Sequence, residues 1–524
     1  MRLRKILSVV LMIALLGTIF PTVVALAEEA SYTWEINDEG TLIITGTGAI
    51  TGFNGNVYNR PWHSVRESIT SVVINEGITS MDRSSFEDIP YLTRVSLPST
   101  LKVIGWEAFI KCPLLDNVVL PEGLEEIGWS AFERCTSLTE ITIPASVTTM
   151  GTEVFAECSA LKKVTFNNTL TTLPGLIFDY CNTLEEVVLP NGLINTGSCC
   201  FRGCTNLEKI VLPDSLAQTG QSVFEGCTSL TEINTENIVQ YGEWTFKGCS
   251  SLKTITINEV VKNISVGLFE NSGITNLTLP ENLHTIGTNA FANCTKLENV
   301  NIPENLQTLE GGAFSGCTSL TEFTMPKNIT EVSLSFFKGC TALNKVTLHD
   351  NVTRIGEMAF EGCSSLASFT LPENIEELGY RAFSGTNITE ITIPNSLDYI
   401  NYGGSSPLNW YGPFGESNIE TAYFEGGRTQ IPDYLFTGAT KLKNVDLSNI
   451  EKIGVGAFSG CSSFVPELTE ATTEIGNYAF VNCVLIEDFA VPATEDLSDA
   501  SIKVFWWNTE LVKPVSRFKV IEIE

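Results

Sequence analysis

The sequence predicts a repeat solenoid: about 18 coils of 22–23 residues, stacked behind a short β-hairpin cap at the N-terminus. Three observations predict it. Eighteen phenylalanines recur nearly metronomically, with Phe86, Phe109, Phe132, Phe155, Phe178, Phe201 and Phe224 spaced 23 residues apart. The beat continues at Phe246, Phe269, Phe291, Phe314, Phe337, Phe360 and Phe383, then after one longer interval at Phe414, Phe436, Phe458 and Phe480. Apolar residues keep fixed offsets from each phenylalanine, and thirteen of the fifteen cysteines sit three residues after one. A unit of this length cannot close a core alone and buries its apolar face against its neighbours.

The first 27 residues stand apart from the repeat. Arg2, Arg4 and Lys5 precede an apolar run from Ile6 to Phe20, and Ala25-Leu26-Ala27 offers a small-residue cleavage site, the pattern of a secretory leader. The chain carries a net charge of −30, and loss of residues 1–27 would bring it to −33. Such a balance repels nucleic acid and anionic membranes. After the leader no apolar run reaches the length of about 20 residues that spans a bilayer, so the expected location is secreted or cell-surface.

Residues 28–68 are expected to form a β-rich cap. Thr33–Ile36 and Thr41–Thr45, joined by Asn37-Asp38-Glu39-Gly40, read as a hairpin. Trp34 and Trp62 fit the core of that cap, which covers the apolar end of the first coil.

The solenoid is expected over residues 69–490, with Leu138–Ala160 as a representative unit. Glu140–Ile143 alternates polar and apolar with β-branched residues, which predicts a short strand with Ile141 and Ile143 inward. Pro144 ends it, as Pro98, Pro121, Pro190 and Pro213 do in their units. Val147 and Met150 supply a second inward pair, and Gly151 follows. Glycine recurs there as Gly105, Gly128, Gly197 and Gly220, which predicts a backbone of positive φ. Each phenylalanine then fills its own coil's core.

These residues carry a resemblance. The segment Gly123-Leu124-Glu125-Glu126-Ile127-Gly128-Trp129-Ser130-Ala131-Phe132-Glu133-Arg134-Cys135 closely resembles the BspA-like class of bacterial leucine-rich repeats, and the likeness runs over about residues 69 to 484. It implies a right-handed leucine-rich-repeat coil with a parallel β-sheet on its concave face. It also implies a secreted or surface-displayed protein that acts in adhesion to host proteins, other bacteria or surfaces.

Cysteines in an exported chain ordinarily read as a disulfide framework. Here their place in the repeat favours buried free thiols over disulfides or a metal, because side chains pointing in parallel into a packed core do not easily reach disulfide geometry. Cys199 and Cys200 lie off the ladder, and Cys199 is the candidate for an exposed thiol.

The outward residue between the two inward strand positions forms a column rich in threonine, including Thr142, Thr165, Thr324, Thr347, Thr370 and Thr392, with Tyr423 further on. That column is either a solvated sheet face or a ligand-contacting one. Its neighbour mixes signs (Arg94, Glu140, Lys163, Glu186, Lys209, Glu232), as cross-strand ion pairs do. The one irregular interval, Phe383 to Phe414, is 31 residues long and crowds Tyr399, Tyr402, Trp410 and Tyr411 into a loop rich in glycine and asparagine. These rings either pack over the longer coil or contact a ligand.

Nothing in the sequence points to catalysis. The three histidines are scattered, no nucleophile motif or phosphate loop accompanies them, and no cofactor or metal is expected. The segment 491–524 leaves the repeat as a tail with Trp506 and Trp507. The function expected is a non-enzymatic recognition or adhesion protein with an extracellular protein ligand; a glycan held by the aromatic insertion is the alternative, and a surface scaffold the third.

Overall fold

The computed structural model describes residues 32–53, 56–401, 411–469 and 471–483. The expected leader and tail lie outside these residues, as do all residues between Asn401 and Tyr411. The chain forms two compact units, one reaching Pro190 without residues 171–175, the other comprising residues 171–175 and everything from Asn191 on.

In both units the chain winds as stacked coils of short parallel strands, the solenoid that the period predicts. Most coils offer a first strand of two to four residues, such as Glu140–Ile143, and a second short one, such as Thr149–Met150. First strands pair one to one: Ile141 lies opposite Val164, and Val164 opposite Val187. Second strands do the same, Ile104 opposite Ile127 and Ile127 opposite Met150. A parallel ladder in strict register demands coils of equal length, which is the physical origin of the period. The proline carbonyl after the first strand accepts the N–H three residues on, as in Leu101 to Pro98, 3.2 Å, and Leu124 to Pro121, 3.0 Å.

Inside each unit the phenylalanines form a stack. In the first, Phe86, Phe109, Phe132, Phe155 and Phe178 follow one another at 5.2, 5.3, 5.6 and 5.9 Å, with ring planes within 12°. In the second, successive rings from Phe201 to Phe480 also stack, as Phe201 on Phe224 (5.3 Å) and Phe458 on Phe480 (5.6 Å). The turn that carries the ring is itself laddered: Phe86 N–H donates to the Ala108 carbonyl (2.7 Å), and Phe337 N–H to Ala359 (2.8 Å).

The glycine before this turn corrects the expectation from sequence. Gly105, Gly128, Gly151, Gly197 and Gly220 are absent from the residues of positive φ. The constraint is contact between coils: a Cβ on Gly128 would meet the Trp106 nitrogen at 2.5 Å, and one on Gly105 the Met81 carbonyl at 2.5 Å. Positive φ falls instead two residues after each phenylalanine and, except at Phe414, two residues before it, at Ser130 and Arg134 around Phe132, for example.

The ladder cysteines are free and buried. They are also hydrogen-bonded, a role that reading them as small hydrophobes omits. Within each unit the thiol donates to the phenylalanine carbonyl of the preceding coil: Cys112 to Phe86 (3.1 Å), Cys135 to Phe109 (3.3 Å), Cys340 to Phe314 (3.0 Å), Cys483 to Phe458 (3.1 Å). Where the following turn is one residue shorter, the substituted hydroxyls of Thr386 and Ser417 donate to the phenylalanine of their own coil, at 2.7 and 2.6 Å.

At the N-terminal end, β1 (Tyr32–Ile36) and β2 (Thr41–Gly46) form the antiparallel hairpin. The Asn37 side chain closes it by accepting the N–H groups of Glu39 and Thr41. Strand β2 then pairs in parallel with β4 (Ser71–Ile74), and β3 (Gly48–Ile50) with β5 (Ile78–Met81), so the cap supplies a zeroth coil to both sheets. Trp62 is fully buried and stacks on Phe86 at 5.4 Å, heading the phenylalanine column, while Trp34 and Phe53 meet its ring edge-on. No helix among the described residues is long and apolar enough to cross a membrane.

Candidate binding surface

The first strands bury alternate residues and turn the others outward, so the threonine column is a real face of each unit. In the first unit Thr142 lies beside Thr165, the former exposed and the latter half-buried. In the second unit Thr324 lies beside Thr347, and Thr392 beside Tyr423, all four exposed; Thr370 is exposed in a coil segment without an assigned strand. Valines on the same column leave large apolar surface in water, Val119 at 74% and Val211 at 72% exposure. Parallel strands make such a column flat and closely spaced, at about 4.8 Å per coil.

The adjoining column pairs its charges across strands. Lys163 meets Glu186 at 2.8 Å, Lys209 meets Glu232 at 2.9 Å, and Lys345 meets Glu322 at 3.8 Å. Exposed pairs like these each add at most about 1 kcal/mol. Their larger effect is to neutralise the sheet locally on a chain of net charge −30. Asn234 substitutes for threonine and folds back on the neighbouring strand, accepting from Leu212 N–H and donating to its carbonyl, both at 2.8 Å.

The aromatic insertion divides. Tyr402 and Trp410 lie outside the described residues. Tyr399 is 55% exposed on the second-strand sheet, opposite Glu377 in the ladder, and therefore not on the threonine column. Tyr411 is engaged in packing: its ring lies 5.2 Å from the Arg381 guanidinium and fills the space beside Gly415 and Gly438. Arg381 in turn bridges Glu361 at 3.1 Å and Glu416 at 2.6 Å.

Two features escaped the sequence reading. Arg428 stands eight residues before Phe436, the slot that Val147 holds before Phe155, and it is buried there. Its Nε donates to Gln430 O (2.7 Å), Nη1 to Pro394 O (2.6 Å) and Nη2 to Leu397 O, so a cation closes the coil beside the long insertion. Burial pushes its pKa down, against the opposing pull of Asp398 and Glu425. The other is a pair of exposed indoles, Trp106 and Trp129, stacked at 5.0 Å and 9°. Their identical place in successive units was the available signal.

The thiols offer no reactive group on this surface. Burial pushes Cys112, Cys158, Cys227 and Cys340 up to about 12, so they stay protonated at neutral pH. Off the ladder, Cys199 is half-buried and Cys200 buried, the latter donating to Pro174 and Gly197 carbonyls at 3.2 Å. No group of His, Cys, Asp and Glu that could hold a metal ion occurs among the described residues.

Comparison with known proteins adds three findings. The sequence profile of the BspA type leucine rich repeat region (6 copies) matches residues 64–185, 176–298, 284–404 and 411–515. The fold is similar to a leucine-rich repeat protein from Bacteroides ovatus (23% identity, TM-score 0.48, covering 82% of this chain and 100% of that one). It is also similar to a leucine rich cell surface protein from Faecalibacterium prausnitzii, at 24% identity and TM-score 0.43, covering 74% and 97% of the two chains. A leucine-rich repeat protein from Eubacterium ventriosum shares 23% identity, TM-score 0.39, with 75% and 100% covered. No curated protein matches the chain.

Proposed function

The chain belongs to the family of BspA-type leucine-rich repeat proteins, and from that premise we propose that it is a non-enzymatic recognition protein working outside the cell. Its ligand is a protein, and its contact surface is the first-strand sheet. The single observation that carries this reading is the outward column itself. Short β-branched side chains stand in register on a rigid parallel sheet, beside a column of mutually paired charges. A face of this kind loses little side-chain entropy on contact, and its pairs Lys163–Glu186, Lys209–Glu232 and Lys345–Glu322 enter the contact already neutralised. Solenoids of stacked repeats use such extended faces for binding. The leader read at residues 1–27 would deliver the chain to that setting.

The test is capture of ligands from host extracellular and bacterial surface extracts on the immobilised protein. Thr324→Lys with Thr347→Lys, which put unpaired charges in the column, should abolish capture while circular dichroism stays unchanged. Capture that survives both substitutions would remove this face from consideration. A glycan-array signal lost on Trp410→Ala would replace the protein ligand by a sugar. Ordered self-association without any capture would favour a scaffold.

A further inference from the structure

A second feature lies off the first-strand sheet, at the corner where the second strand enters the phenylalanine turn of the first unit. Trp106 and Trp129 occupy the same place in successive coils, three residues before Phe109 and Phe132. They are 45% and 54% exposed, although burial of an indole is among the most favourable that a side chain can make. Glycine fixes how they lie. A Cβ on Gly128 would fall 2.6 Å from Trp106 Cδ1, and one on Gly151 would fall 2.1 Å from Trp129 Cδ1. Each ring therefore reclines over the next coil, and Trp129 stacks on Trp106 with one face. Beyond Trp129 the same column continues as Thr152, a side chain too short to cover the other face.

One carboxylate is tied to the residue that follows Trp129. Ser130, the residue after Trp129, donates from Oγ to Glu153 Oε2 at 3.2 Å. Glu153 makes no ion pair among the described residues, because the nearby cation Arg134 is committed to Glu157 at 2.8 Å. Glu107, beside Trp106, is by contrast held by Arg83 at 2.8 Å. Between Val103 and Glu153 the sequence carries eight carboxylates against two basic side chains.

We propose that Trp106, Trp129 and Glu153 form a receptor for a basic side chain, an arginine or lysine presented by a segment of a protein partner. The guanidinium or ammonium group lies on the open face of Trp129 as the next layer of the stack, above Thr152. Tryptophan is the strongest aromatic partner for such a cation. Glu153, lacking a cation of its own, completes the ion pair, and the acidic coils draw in the basic segment. A sugar ring would also stack on an indole, but it would leave the unpaired carboxylate no better off than water does. This site is independent of the threonine column and stands or falls separately from it.

The test is calorimetric titration of the full chain with a capped glycine-serine-arginine repeat peptide, and with the same peptide carrying citrulline in place of arginine. The expected result is binding of the arginine peptide, with the uncharged citrulline form about tenfold weaker or worse. Trp129→Ala should weaken the arginine peptide about tenfold and Glu153→Gln several-fold. Glu304→Gln, which removes the same charge from an exposed turn of the second unit, should change it by less than about twofold. Thr152→Trp leaves every proposed contact in place and covers the open face, so it should block binding even if Trp129→Ala disturbs the coil. Equal losses in Glu304→Gln and Glu153→Gln, no binding of the arginine peptide, or full binding by Thr152→Trp would each overturn the proposal. So would chitohexaose binding that is lost in Trp129→Ala, which would make the shelf a glycan site.

Discussion

The residue two places after each phenylalanine adopts a left-handed backbone in both compact units, but the units fill that place differently. In the first it is Asp88, Lys111, Arg134, Glu157 and Tyr180, with φ of 54°, 59°, 60°, 58° and 56°. In the second it is mostly glycine, as at Gly203, Gly226, Gly248, Gly339 and Gly362, with φ between 71° and 77°. The hydrogen bond made there is the same. Lys111 N–H donates to Glu133 O at 2.8 Å, Arg134 to Ala156 at 2.9 Å, Gly226 to Lys247 at 2.7 Å, and Gly339 to Glu361 at 2.6 Å. A left-handed conformation costs an L-residue roughly 1–2 kcal/mol. The first unit recovers part of that through side chains, pairing Arg134 with Glu157 at 2.8 Å and Lys111 with Glu87 at 3.9 Å. Exposed pairs return at most about 1 kcal/mol each. The difference teaches that the stack dictates the backbone: coil-to-coil hydrogen bonds and the phenylalanine column impose one turn, and local sequence only modulates its strain.

The largest effect expected is collective and depends on pH. Burial raises the thiols of the first unit (Cys112, Cys135, Cys158, Cys181) and of the second (Cys227, Cys249, Cys294, Cys317, Cys340, Cys363, Cys461, Cys483) above their ordinary 9.0. The unfolded chain releases these protons first, so the stabilisation is complete below pH about 9 and is lost progressively toward pH 12. The second unit, with nine such thiols to four once the off-ladder Cys200 is counted, should melt first in an alkaline titration followed by site-resolved hydrogen exchange. Equal loss would mean that the two ladders are not sealed alike.

Next in size, Phe132→Ala and Phe291→Ala should each destabilise by about 3–5 kcal/mol in urea unfolding, since both rings are fully buried and, among the described residues, each meets only the rings before and after it in the stack. A clear inequality would break the equivalence of the units. Smaller again, Gly128→Ala should cost about 3 kcal/mol because its Cβ would overlap the Trp106 nitrogen at 2.5 Å. Gly339→Ala should cost only about 1 kcal/mol, for there the Cβ would clear Gly316 at 3.8 Å and the penalty is that of a positive φ. The smallest is a gain: Lys111→Gly should stabilise by roughly 0.5 kcal/mol, relief of backbone strain exceeding the entropy of glycine and one long ion pair. A loss there would show that the side chains of the first unit contribute more than its geometry indicates.

The columns of this fold were legible in the sequence because a one-to-one parallel register writes each column as a period. Phe132, Cys135 and Thr142 could be placed on their faces from spacing alone. What lies across from a residue in the next coil was not legible. Gly128 was therefore assigned a turn conformation, when its role is to admit the backbone and ring of Trp106. The donation from Cys135 to Phe109 crosses coils in the same way, and spacing showed only that the position is inward. Arg428 looks like a loop residue until its buried slot is counted back from Phe436. Trp106 and Trp129 were hidden by regularity, since two residues in eighteen units do not make a column. On the face proposed for binding, the sequence supplied the threonines, and the structure supplied the separation of Tyr399 and Tyr411 from them.

The central claim, that one sealed coil geometry runs through both units, is tested most directly by site-resolved thiol alkylation at pH 8, read by mass spectrometry. The account predicts that the thirteen ladder cysteines stay unlabelled in the folded chain, that Cys199 alone reacts at an appreciable rate, and that all fifteen react in denaturant. Labelling of the ladder in one unit while the other remains protected, or fewer than fifteen reactive thiols after denaturation, would contradict it.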